Sequence, residues 1–192
     1  MAREREQVAL ENSYRLMSDA ILLRDHGRNP SAFALAILSL EALGKLLLWK
    51  WEAIDAIPKA PRRFTYHIRK QLATAYFIAA GPVVEKIRGN NYSESPEFLD
   101  VLVNFIASSE ATKRVIHATI GAVEKTKHLA LYDEVNVPNV GLTTADFGRA
   151  DVNRLLSEAR VVLDQLDKRE MHLVGRAMYC VHLTEGDSRV SF

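Results

Sequence analysis

Hydrophobic residues recur along this chain at the three- and four-residue intervals of amphipathic helices, and no long run alternates as a strand would. The first predicted helix runs from about Arg3 to His26, and Gly27 is expected to cap its end. The second runs from about Pro30 to Ile57, with Asn29 as its N-cap and prolines after its end. Because this second segment is apolar nearly all round, we expect it to be the central helix.

The rest of the chain continues the helical pattern. Gly81-Pro82 is expected to stop or kink the third helix. The predicted fold is all-α, a single-domain antiparallel bundle of about five main helices. It is expected to cover residues 1–183, followed by a frayed tail at 184–192. The later helices are predicted at about 62–80, at about 95–132, after a capping pattern from Thr143 to Asp146, and as a short piece at about 171–183.

Composition excludes several classes of protein. The chain has 25 Lys and Arg against 24 Asp and Glu, a net charge of +1, which argues against a polybasic nucleic-acid or membrane binder. It says nothing about a local basic pocket. The single cysteine, Cys180, excludes an internal disulfide framework and fits a cytoplasmic protein. Because metal-ligand spacings and phosphate-binding glycine loops are absent from the sequence, we expect neither a metal nor another cofactor.

One segment, residues 33–51, has the length of a membrane span. It carries Glu41, Lys45 and Lys50, and a charge at the centre of a span costs about 2.5–3.5 kcal/mol. We therefore expect no membrane association and interpret the segment as the buried helix of a soluble bundle. A single-span membrane protein is the alternative.

Glu41 and Lys45 stand four residues apart inside this apolar segment, in the favourable order for a helical ion pair. Burying such a pair costs several kcal/mol of desolvation per ion, so stability alone explains it poorly. A structural ion pair and a functional site both stay open. Gly44 costs about 0.5–1 kcal/mol against alanine in a helix interior, which indicates close approach of another helix or of a ligand.

Three more polar residues lie on or beside predicted apolar faces. His67 lies at the edge of the core face of the third helix, and Lys70 is expected farther round, toward solvent. Lys127 continues the apolar stripe of the fourth helix. It either extends past the helix end, where it complements the helix dipole, or meets an acceptor inside.

Three motifs in this order resemble a known family. They are SAFALAILSLEALGK at 31–45, His-x-x-Lys at 67–70, and Lys-x-Lys-x3-Leu-Tyr-Asp at 125–133. The chain resembles the AbiV-type abortive infection proteins of the HEPN superfamily, over most of its length. The resemblance implies a small helical bundle, a homodimer and a role in bacterial defence against phage. It also implies a candidate activity, because many HEPN proteins are metal-independent endoribonucleases.

The resemblance extends to particular residues, with one departure. A second glutamate typical of the family before the glycine is Ala42 here. The superfamily's nuclease signature, Arg and then His after four to six residues, occurs as Arg62-x4-His67 and Arg176-x5-His182, which is no more often than chance predicts. The residues that match the family pattern are Glu41, Lys45, His67, Lys70, Lys127, Tyr132 and Asp133.

These residues suggest a mechanism for RNA cleavage. Metal-free cleavage needs an acid or base, for which His67 is suited. It also needs a cation near the phosphate, which can be Lys45 held by Glu41, or Lys70 and Lys127. The predicted catalytic residues are Glu41, Lys45, His67 and Lys70, and the predicted substrate-binding residues are Arg62, Arg63, Lys127, Tyr132 and Asp133.

The alternative is a non-catalytic helical module that binds a phage or host protein. A nuclease predicts that Lys45, His67 and Lys127 converge in a cleft open to solvent. A binding module predicts that these side chains are buried and mutually satisfied, or far apart.

Overall fold

The structure is a computed structural model that describes residues 2–54, 66–88, 104, 115–118, 120–132, 147–166 and 172–178. The described residues contain helices and turns and no strand, which confirms the predicted all-α fold. The helices are α1 (Ala2–Asp25), α2 (Asn29–Ala53), α3 (Tyr66–Arg88), α4 (Ala122–Tyr132), α5 (Arg149–Gln165) and α6 (His172–Met178).

The turn between α1 and α2 depends on Gly27, as predicted. Its φ of 73° lies in the left-handed region, which glycine adopts without a Cβ penalty. Its N–H donates to the Arg24 carbonyl at 3.0 Å, and the Arg28 N–H donates to the Leu23 carbonyl at 2.8 Å. These bonds satisfy the last carbonyls of α1 and reverse the chain into α2.

The start of α2 differs from the prediction. Arg28 is the N-cap and makes no side-chain capping bond, whereas Asn29 is already helical. Pro30 fits in the first turn because the missing proline N–H would have no helical partner there. The helix ends at Ala53, and the prolines expected to end it lie outside the described residues.

Helix α2 is the central element, as its apolar composition predicted. It packs against α1, α3, α4, α5 and α6. By length and composition it is the one described helix that could cross a membrane. Most of its apolar stretch (72%) is buried inside the bundle. The buried core helix of a soluble protein can have the same length and composition.

Two predicted helix boundaries are wrong, each at a glycine. Helix α3 continues through Gly81-Pro82 to Arg88, so of the expected stop or kink the stop is wrong. Conversely, the predicted long fourth helix is interrupted: residues 115–118 are helical, Gly121 turns with a φ of 73°, and α4 begins at Ala122. The left-handed Gly121 sets where α4 starts, and therefore which side chains its first turn presents.

The last two described helices complete the core. Helix α5 begins after Gly148, whose N–H donates to the Asp151 carboxylate at 3.2 Å. Helix α6 lies within the short helical piece predicted near residue 171. The capping pattern from Thr143 to Asp146 and the tail at 184–192 fall outside the described residues, so the predicted domain limits stay predictions.

Candidate functional site

Glu41 is a buried carboxylate in the middle of α2, with 3% of its surface exposed. Its Oε2 accepts hydrogen bonds from His67 Nδ1 at 2.9 Å and from Lys70 Nζ at 3.0 Å. Its Oε1 accepts from Gln71 Nε2 at 2.8 Å and from Lys127 Nζ at 2.9 Å. A carboxylate offers about four acceptor positions, so these four donors satisfy it completely.

The hydrogen bonds keep Glu41 ionised despite its burial. Burial alone would raise the pKa of the carboxyl, but hydrogen bonds from Lys127, His67, Gln71 and Lys70 outweigh it and lower the pKa from 4.5 to about 2. Glu41 therefore carries a negative charge at neutral pH, inside a helix whose neighbouring side chains are apolar.

A second carboxylate, Glu124, shares two of these donors. Its Oε2 accepts from Lys127 Nζ at 2.8 Å and from Gln71 Nε2 at 3.0 Å, while its Oε1 lies 2.9 Å from His128 Nε2. Glu124 lies in the first turn of α4, where the helix dipole favours a negative charge. Desolvation lowers the pKa of Lys127, but its bonds to Glu124 and Glu41 outweigh that and raise it.

Gly44 allows α3 to pack directly on α2 beside this cluster. A Cβ at Gly44 would lie 2.0 Å from the Lys70 carbonyl oxygen, so no side chain fits there. Of the two explanations left open for Gly44, a helix or a ligand, the structure shows the close approach of a helix. The solvent-facing position predicted for Lys70 is wrong: Lys70 is 9% exposed, because α3 packs against α2, α4, α5 and α6 and buries a wide face.

The predicted ion pair between Glu41 and Lys45 is also wrong. All four hydrogen bonds that Glu41 makes within the described part of the chain go to other residues. The Lys45 ammonium lies over the Trp49 ring instead, 4.5 Å from its centroid, in a cation–π contact. Glu41 therefore forms ion pairs with Lys70 and Lys127 but not with Lys45.

An open groove between α1, α2 and α3, of about 940 Å³, exposes one edge of the cluster. The four residues predicted to be catalytic all line it: Glu41, Lys45, His67 and Lys70. The His67 side chain is 53% exposed. Helix α1 adds polar and charged side chains to the opposite wall, among them Arg5, Asn12 and Arg15.

Of the predicted substrate-binding residues, the structure describes the side chain of Lys127 alone. Lys127 is buried, at 4% exposure, and meets acceptors inside, which confirms its inward position. It does not line the groove. Arg62, Arg63 and Asp133 lie outside the described residues, as does the side chain of Tyr132.

Sequence reasoning missed Gln71 and Glu124, both of which belong to the cluster. Each carried a signal: Gln71 is four residues after His67, and Glu124 is three before Lys127, so both pairs share a helix face. The groove residues of α1 carried no comparable signal, because charged residues are ordinary on an exposed helix face.

Three of these side chains are of types that can ligate a metal ion. Ligand atoms of Glu41, His67 and Glu124 lie within 4.8 Å of one another. However, Lys127 Nζ bridges the two carboxylates, and Lys70 Nζ lies 3.0 Å from Glu41 and 3.4 Å from His67 Nδ1. Because ammonium groups already neutralise these oxygens, the set fits lysine pairing better than a metal ion.

A family model covers most of the chain. The family model HEPN_AbiV, described as AbiV, matches residues 1–164. Searches of curated proteins and of solved structures found no significant match.

Proposed function

Since the chain belongs to the AbiV family of abortive infection proteins, which act in phage defence, we propose that its groove cleaves RNA without a metal ion. The observation that carries this proposal is the state of His67. Its ring is half exposed in the groove, and its Nδ1 lies 2.9 Å from a buried, ionised carboxylate. A histidine held in this way is suited to move protons.

Glu41 selects the tautomer of His67. An ionised carboxylate only accepts hydrogen bonds, so at 2.9 Å it requires a proton on Nδ1. The Lys70 ammonium is farther from Nδ1, at 3.4 Å, and donates to Glu41 at 3.0 Å. We therefore assign the proton of neutral His67 to Nδ1, which leaves Nε2 with a free lone pair. A carboxylate orients the catalytic histidine of serine hydrolases in the same way.

The groove residues then suit attack by a ribose 2′-hydroxyl on the adjacent phosphorus. His67 Nε2 takes the hydroxyl proton as the oxygen attacks, and the 5′ oxygen leaves with a proton from the Lys45 ammonium. Lys45 suits this role because Trp49, and no carboxylate, holds it among the described residues. Arg5 and Arg15 also line the groove, together with Glu4, and supply positive charge for the phosphates, although Arg15 is paired with Asp19 at 3.4 Å.

We expect the protein to act in the cytoplasm, with RNA as its substrate and without membrane association. The family resemblance supports a homodimer.

The experiment is cleavage of total RNA and of purified tRNA by the purified protein in EDTA. Wild type is compared with His67→Ala, and His26→Ala serves as the control. His26 is an exposed histidine at the end of α1 that bonds to the Leu22 carbonyl and does not line the groove. We expect cleavage by wild type and His26→Ala, and loss of cleavage in His67→Ala.

One observation favours the second candidate function, a module that binds a phage or host protein. Lys70 and Lys127 are buried, Lys70 paired with Glu41 and Lys127 with both Glu41 and Glu124, as a purely structural network would require. Failure of wild type to cleave either RNA would support this alternative, in which the cluster only fixes the packing of α2, α3 and α4.

A further inference from the structure

Glu124 does not line the groove. It nevertheless accepts from both donors, Gln71 and Lys127, that hold Oε1 of Glu41, which we call the inner oxygen. Lys127 Nζ lies 2.9 Å from Glu41 and 2.8 Å from Glu124, and Gln71 Nε2 lies 2.8 Å and 3.0 Å from the same two carboxylates. Each donor therefore bridges one carboxylate of α2 and one of α4.

We propose that Glu124 is a positioning residue that fixes His67 through Glu41. The expected effect on cleavage rests on the proposed function. The hydrogen bonds that link Glu124 to Glu41, and Glu41 to His67, do not depend on a substrate. Glu124 acts on the inner oxygen of Glu41, through Lys127 and Gln71. Glu41 then presents its other oxygen to His67 Nδ1.

Charge balance explains why a second carboxylate is needed. Glu41 alone faces two ammonium groups, those of Lys70 and Lys127, at 3.0 Å and 2.9 Å. Glu124, which is partly buried, provides the second negative charge, so the cluster has two carboxylates and two ammonium groups. Without Glu124, Lys127 and Gln71 bond to Glu41 alone, and an excess positive charge lies beside the carboxylate that must accept from His67.

The Glu41 side chain would then shift toward Lys127, and its contact with His67 would lengthen. Misplacement of a catalytic group by about 1 Å can lower a rate by about a hundredfold. We therefore expect Glu124→Ala to lower RNA cleavage by about tenfold or more. This loss should occur although Glu124 touches neither the groove nor the proposed substrate.

The matched control is Glu52→Ala. The Glu52 side chain is 23% exposed and that of Glu124 is 25% exposed. Glu52 lies 3.5 Å from the buried Arg69, so Glu52→Ala also removes the partner of a buried cation, but Glu52 shares no donor with Glu41. Glu52→Ala should retain the wild-type cleavage rate. If Glu124→Ala does not fold, Glu124→Gln keeps the side-chain size and removes only the charge.

Two readouts separate positioning from a merely structural role. First, ¹⁵N NMR of the His67 ring should show the Nδ1–H tautomer in wild type and in Glu52→Ala, and a reduced share of it in the Glu124 variant. Second, Glu124→Ala should lower kcat for RNA cleavage and leave KM unchanged, because Glu124 does not line the groove. An unchanged tautomer in the Glu124 variant, or a change confined to KM, would overturn the inference. If wild type does not cleave RNA, the proposed function fails and the tautomer measurement still decides the role of Glu124.

Discussion

Glu41 and Lys127, which are 86 residues apart in the chain, form a buried ion pair with 2.9 Å between Oε1 and Nζ. The lysine side chain is 4% exposed and the glutamate 3%. This pair joins the central helix α2 to α4. Since both side chains are almost fully buried, the fold is expected to depend on both charges being present.

Replacement of Glu41 by glutamine should destabilise the fold strongly at pH 7. The change leaves Lys70 beside a neutral amide and leaves Lys127 with Glu124 as its remaining anion. Breaking a buried pair from one side costs about 3–5 kcal/mol. Urea denaturation should give a free energy of unfolding lower by about that amount. As a control, Glu11→Gln on the exposed face of α1 should change it by less than about 0.5 kcal/mol.

The cost of Glu41→Gln should also depend on pH. Folding lowers the pKa of Glu41 from 4.5 to about 2, so ionisation of Glu41 contributes on the order of 3 kcal/mol to the free energy of unfolding. The whole of this contribution is present above pH 4.5. That stabilisation is lost as the pH falls from 4.5 toward 2. The difference in unfolding free energy between wild type and Glu41→Gln should therefore shrink across this interval, and a difference that stays constant would contradict the ionised state.

The lysines at positions 45 and 127 should behave in opposite ways. Lys127→Ala leaves Glu41 and Glu124 without their shared ammonium and should cost about 3–5 kcal/mol of stability. Lys45→Ala removes one cation–π contact, which is worth about 0.5–1 kcal/mol at an exposed site. Yet Lys45→Ala should abolish or greatly lower RNA cleavage while the protein stays folded. Equal destabilisation by the two variants in urea would contradict the assigned contacts.

Gly44→Ala should destabilise the protein, although alanine favours a helix by about 0.5–1 kcal/mol. The new Cβ would overlap the Lys70 carbonyl oxygen, so α2 and α3 must separate. Overpacking of this kind costs about 1–3 kcal/mol. Gly148→Ala is the control, since the nearest atom to its new Cβ is 3.5 Å away and its φ of −84° suits alanine. Thermal unfolding should show a lower Tm for Gly44→Ala and little change for Gly148→Ala.

The sequence predicted the helical fold, the central position of α2 and the place of Lys127 on an apolar stripe, because hydrophobic periodicity reports which face of a helix is buried. It left open whether Lys127 meets an acceptor inside and whether a helix or a ligand approaches Gly44. It misplaced Lys70 and the partner of Lys45, because side-chain pairing within one helix is visible in a sequence whereas competition from other helices is not. Glu41 pairs with residues of α3 and α4 that lie 26 to 86 positions away.

The most direct test of the proposed cleavage is the chemistry of the product ends. If His67 activates the ribose 2′-hydroxyl, wild type in EDTA should produce RNA fragments with a 2′,3′-cyclic phosphate and a 5′-hydroxyl. A single 2′-deoxy substitution at a mapped cleavage position should block that cut, and folded His67→Ala should produce no such ends. Fragments with a 5′-phosphate, or cleavage by His67→Ala at the wild-type rate, would contradict the proposed role of His67.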